Sequence, residues 1–130
     1  MIILVELNGG DSIMDDIDIR SIDTEKKVIN DYDCVSARKQ SKKVNILELE
    51  PETVIPFTSD VSIITKENLD EIGEINLRAD DIKDSQHMTL SYYDEEKKEM
   101  VIFYTEKALN NLPENLVDVV DLIRTLVLNI

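Results

Sequence analysis

The chain has one cysteine, Cys34, one histidine, His87, and no tryptophan. A lone cysteine excludes an internal disulfide and fits a reducing compartment. One His and one Cys cannot furnish the nitrogen and sulfur ligands of an ordinary zinc site. A serine or Cys34 acting with His87 and a carboxylate has no local signature, such as a nucleophile elbow, behind it. Glycine is scarce at three residues, and Gly9-Gly10 is the one stretch able to cradle a phosphate. It lacks the spacing and the lysine of the dinucleotide and P-loop motifs, so it reads as a plain turn. Aromatic platforms for a sugar cleft are few, with four tyrosines and two phenylalanines. No apolar run approaches the ~20 residues of a membrane span, and Ile2–Val5 is too short for a signal peptide. No catalytic, cofactor or metal site is expected, and the expected compartment is the cytoplasm of a cell or of an infected host.

Basic residues are also in deficit. The 130 residues hold 14 Lys and Arg against 28 Asp and Glu, a formal net charge of -14. Such a charge repels nucleic acid and anionic membranes and favours a basic protein partner. Its bland counterpart is solubility alone. The basic residues that do cluster, Arg38, Lys39, Lys42 and Lys43, fall in one polar loop. Acidic residues crowd between Asp11 and Asp23 and invite a calcium reading. An EF-hand loop needs glycine at position six and glutamate at position twelve. Counted from Asp16, those positions hold Ser21 and Lys27, so the motif fails.

Hydrophobic residues, at 42%, recur along the whole chain and predict one globular domain over residues 1–130. Ile2–Leu7 reads as a strand ended by Asn8-Gly9-Gly10-Asp11. Alternation from Asp16 predicts a second strand, a turn over Asp23–Lys27, and a return strand to about Val35. Val44–Glu50 alternates again, and Pro51 and Pro56 bracket a connection unsuited to a central strand. Val61–Ile64 is β-branched and reads as a strand. Thr65 caps a short helix over Leu69 and Ile72, with Gly73 as its stop, and Ile75 and Leu77 begin another strand. Met88–Tyr93 and Met100–Tyr104 form the clearest hairpin, around Asp94–Lys98. Both hairpin tips read Asp-x-Glu-Lys-Lys, which is shared turn chemistry, since the flanking residues do not repeat.

From Pro113 the pattern is helical. Leu116, Val120, Ile123, Val127 and Ile130 make an apolar stripe, widened by Val119, Leu122 and Leu126, with Glu114, Asp118 and Asp121 as a narrow polar edge. The expected fold is α+β: a curved, mostly antiparallel sheet of about six or seven strands packed against a long C-terminal helix. This order of elements resembles the pleckstrin-homology arrangement. The resemblance is one of order alone and implies no function.

The function expected is that of a non-enzymatic acidic protein that binds and inhibits or regulates a basic, nucleic-acid-handling protein. Phage anti-defence and immunity-type inhibitors work in this way, some as DNA mimics. Carboxylates at i and i+2 of a strand lie roughly 6.6 Å apart on one face and can imitate a phosphate row. The expected partner contacts are Asp16, Asp18, Glu48, Glu50, Glu95 and Glu96, which fall on predicted wet faces or tips. The first alternative is a dimeric adaptor, assembly factor or chaperone, in which Val119, Leu122 and Leu126 of the C-terminal helix meet a second copy or a client. The second is a small ligand-binding domain or enzyme whose site is not visible in the sequence.

Overall fold

A computed structural model describes residues 1–8, 17–32, 50–76, 88–105 and 112–128. The order is β1 (Ile2–Asn8), β2 (Ile17–Asp23), β3 (Val28–Asp31), β4 (Thr53–Pro56), α1 (Lys66–Asn76), β5 (Met88–Asp94), β6 (Glu99–Thr105) and α2 (Glu114–Leu128). The strands form one antiparallel sheet in the order β4-β3-β2-β1-β5-β6. The fold is α+β as expected, with six strands among the described residues. A helix between β4 and β5 breaks the pleckstrin-homology order. The C-terminal helix is 15 residues, an ordinary length of about 22 Å and not a long one.

Both helices cover the same face of the sheet. Ile3 and Val5 of β1, Ile22 of β2, and Leu90 and Tyr92 of β5 point into one core with Leu69 and Ile72 of α1 and Leu116, Val119, Ile123 and Val127 of α2. Each fully buried side chain of this size contributes about 1.5–3 kcal/mol, so the alternating strands and the helical stripes hold each other. On the opposite face Leu4 and Ile19 are buried with Tyr32 and Met100 against them. The Tyr32 hydroxyl lies 3.3 Å from Ser21 Oγ, which also accepts from Asn30 Nδ2 at 3.2 Å.

The two hairpin tips adopt the same turn. Asp23 Oδ1 accepts the N–H groups of Glu25 and Lys26 at 3.0 and 3.1 Å. Asp94 Oδ1 accepts those of Glu96 and Lys97 at 3.0 and 3.3 Å. Each turn closes on a lysine in the left-handed region, Lys27 at φ 54 and Lys98 at φ 53. The Asp-x-Glu-Lys-Lys motif is thus an aspartate-capped four-residue turn used twice.

Several local expectations are corrected. Val61–Ile64 is a turn and not a strand. Asp60 Oδ1 accepts the Ser62 N–H at 2.9 Å, and Ile64 N–H reaches the Val61 carbonyl at 3.0 Å. Buried Ile64 then anchors the entry to α1, whose first turn is capped by Thr65 Oγ1 accepting from Asn68 N–H at 3.2 Å. Gly73 does not stop α1, which continues through Ile75 to Asn76. A Cβ at Gly73 would sit 3.4 Å from Phe103 Cα, an ordinary contact distance, so α1 lies directly on β6 with space there for a methyl group and little more. The Pro51–Pro56 stretch does hold a strand, β4, but at the sheet edge, where proline is tolerated. β3 ends at Asp31, short of Val35. The expected strand over Val44–Glu50 lies outside the described residues up to Glu50 itself, as do Gly9-Gly10, Cys34, the Arg38–Lys43 loop, Leu77 and His87.

β6 carries a bulge. Leu90 pairs with Tyr104 and Ser91 with Ile102, leaving Phe103 as the extra residue. This is why Phe103, Tyr104 and Thr105 are buried in succession where a regular strand would alternate. Phe103 packs beside Tyr92, ring centroids 6.1 Å apart.

Candidate functional site

The outer side of the helix layer is rich in exposed carboxylates. With Leu69 and Ile72 turned into the core, α1 leaves Glu67, Asp70, Glu71 and Glu74 exposed. With its six buried residues turned inward, α2 leaves Glu114, Asp118 and Asp121 exposed. These carboxylates follow helical spacing of three and four residues, so each row runs down one face. Neither helix has a basic residue in its last turn. The sequence spacing held this signal, but a helix read as ending at Gly73 has no complete row to show.

The residues expected from sequence do not gather in one place. Glu95 and Glu96 are exposed at the β5–β6 tip, and Glu50 is exposed just ahead of β4. β4 begins beside the end of β3, opposite the end that carries both hairpin tips, so Glu50 stands across the sheet from Glu95 and Glu96. Asp18 lies on β2 opposite Leu7. Asp16 and Glu48 lie outside the described residues. For the C-terminal helix, the expectation of outside cover is corrected at two positions. Val119 is 0% exposed and Leu126 7%, both in the core of the same chain. Leu122 is half-buried against that core.

A cleft of about 290 Å³ opens at the tip end, lined by Met1, Glu25, Lys66, Tyr92, Tyr93, Asp94, Glu95 and Glu96. Four of its ionisable groups pair within the lining, the Met1 ammonium with Glu25 and Lys66 with Asp94, and Tyr92 bonds Asp70. Burial of Asp94 opposes ionisation, but the N–H groups of Lys97 and Glu96 and the ammonium groups of Lys66 and Lys97 outweigh it. The carboxyl is held below its usual range, with Lys66 Nζ 4.0 Å away. The Tyr92 hydroxyl is pushed well above its usual value by burial, then by its 2.5 Å hydrogen bond to Asp70 and by the charges of Asp70 and Asp94. Asp94 therefore stays ionised and Tyr92 protonated near neutrality, and neither is poised to exchange a proton there.

Across the sheet, burial raises the pKa of Glu6, which sits on β1 between Ile19 and Thr89. Among the described residues no three His, Cys, Asp or Glu side chains stand together as metal ligands. Asp23, from the segment that invited a calcium reading, spends its carboxylate on the turn. Among the described residues no helix is long and apolar enough to cross a membrane. No family model, no curated protein and no solved structure matches the chain.

Proposed function

We propose that the protein is a non-enzymatic acidic interaction protein that docks on a basic protein and thereby inhibits or regulates it. The observation that carries this reading is the helix layer. Seven exposed carboxylates, Glu67, Asp70, Glu71, Glu74, Glu114, Asp118 and Asp121, stand on the outer sides of two helices whose inner sides are committed to the core. Glu95 and Glu96 are also exposed, at the hairpin tip beside Lys97 and Lys98. A surface of one sign draws in a partner of the other and excludes like-charged ones. A protein that handles nucleic acid has a basic groove of the matching kind, and carboxylates about 5–6 Å apart at their Cβ atoms offer it a row of anions.

The reading is tested by neutralising Glu71→Gln, Glu74→Gln, Asp118→Asn and Asp121→Asn together. All four are exposed, so stability should move little. Capture of basic proteins from the native host, at low and high salt, should be strong for the wild type at low salt and lost in the variant. The association rate should fall as salt rises. Capture indifferent to both salt and the four substitutions would refute the proposal.

A further inference from the structure

The two edges of the sheet are guarded unequally. At one edge β4 is four residues, Thr53–Pro56, and ends in proline. Shortness and proline are the devices by which sheets resist the addition of another strand. At the other edge β6 runs seven residues, Glu99–Thr105, with no charge and no proline after Glu99. Among the described residues its ladder partner is β5. The bulge lies toward the far end, at Phe103, and leaves Glu99–Ile102 in regular register. In an antiparallel pair, alternate residues turn their backbone N–H and C=O groups away from the partner strand. In this stretch those groups face away from β5, on a side where none of the described residues pairs with them, and Ile102 is 50% exposed beside them.

α1 follows this edge along its length. Lys66 meets Asp94 at one end, Gly73 rests on Phe103, and Asn76 Oδ1 accepts the Thr105 N–H at 3.0 Å at the other. Glu67, Asp70, Glu71 and Glu74 are exposed on this same helix, Asp70 accepting the Tyr92 hydroxyl of the neighbouring β5. A strand added to β6 would send alternate side chains to opposite faces. On the helix side they would meet the carboxylate row. On the other side they would meet Ile102.

We infer that β6 is a β-augmentation edge that takes an extended segment of the basic partner, one alternating Lys or Arg with apolar residues. The inference rests on the acidic-interaction reading and narrows it to one strand and one partner pattern. A second copy of this chain is the poorer occupant. A two-fold pairing through β6 would bring two carboxylate rows of α1 toward one seam, in molecules that each carry a net charge of -14.

The test leaves the protein intact and varies the ligand. A peptide of the same length as β6, alternating Lys and Val, is compared with one N-methylated at alternate residues, which keeps the charge but cannot complete a ladder. Amide hydrogen exchange at Met100, Val101 and Ile102 is the readout. The unmodified peptide should slow exchange at the edge-facing amides about tenfold at low salt and less at high salt, and the methylated one should not. Equal binding of both peptides, with β6 exchange unchanged, would overturn the edge and leave the acidic-surface reading standing. No binding of either peptide at low salt would overturn both. Protection of β6 that grows with protein concentration without peptide would identify a second copy as the occupant and overturn the inference.

Discussion

Arg20 offers the sharpest test of how the sheet holds its helix layer. It lies on β2 across from Val5, on the face covered by the helices. Its Nη1 donates to the Val127 carbonyl in the last turn of α2 at 2.6 Å. Its Nε is buried without a hydrogen-bond partner among the described residues, and Asp31 Oδ2 stands 3.9 Å away. Three effects decide the outcome of Arg20→Met, which keeps an apolar stem of similar reach. Losing a hydrogen bond from a charged donor costs about 1.5–3 kcal/mol. Losing a cation at a helix C-terminus costs a further ~0.3–1 kcal/mol. Removing a buried donor that lacks a partner returns about 1 kcal/mol.

The net expectation is a loss of about 2 kcal/mol, or roughly 5–10 °C in Tm for a domain of this size. Urea unfolding should show a lower midpoint with an unchanged slope, the sign of a stability change without a change in the exposed surface. Arg20→Lys should fall between wild type and Arg20→Met, because it keeps the charge and loses the planar fork. Exchange of the last amides of α2 should quicken in both variants before the rest of the core. Wild-type stability in Arg20→Met would refute the reasoning, since it would mean that the α2 carbonyls gain nothing from the guanidinium.

Two further outcomes follow from the same geometry. Gly73→Ala should be neutral to stabilising by up to about 1 kcal/mol, because alanine suits a helix interior better and its Cβ meets Phe103 at contact distance. Gly73→Leu should lower the melting temperature by forcing α1 off β6, and a higher melting temperature in thermal unfolding would contradict the close approach. Burial raises the pKa of Glu6 in the folded state, so the folded protein binds its proton more readily than the unfolded chain. Stability from this group falls as pH rises through the window above the ordinary glutamate range. Glu6→Gln should therefore stabilise the protein at neutral pH, with a gain that disappears below about pH 4. Asp94 has the opposite sign: its lowered pKa contributes stability above the ordinary aspartate range that is lost as pH falls. Urea midpoints of Glu6→Gln and wild type across this range separate the two, and a gain that persisted at low pH would refute the assignment to Glu6.

Much of the architecture was legible from local pattern. Alternation from Asp16 and in the Met88–Tyr104 hairpin marks strands because a half-buried strand repeats every two residues, although Ile19 and Ile22 of β2 are buried on opposite faces of the sheet. The stripe from Leu116 to Val127 marks a helix because one face must meet a core. The aspartate-capped turns were legible twice, since the Asp-x-Glu-Lys-Lys chemistry acts within a few residues. Val61–Ile64 misled because β-branched composition is a weak guide when Asp60 and Ser62 close a turn in its place. Gly73 misled because glycine marks both a helix end and a close helix–strand contact, and sequence alone does not distinguish them.

The candidate site divides along the same line. The charge imbalance and the acidic spacing within each helix belong to the sequence, because they need only composition and the helical repeat. Only the tertiary structure decided that Val119 and Leu126 are covered within one chain. It also laid α1 on β6, with Gly73 against Phe103 and Asn76 on the Thr105 N–H. It set Glu50 and the Glu95–Glu96 tip at opposite ends of the sheet. Strand order depends on contacts between residues far apart in the chain, and no local pattern carries that information.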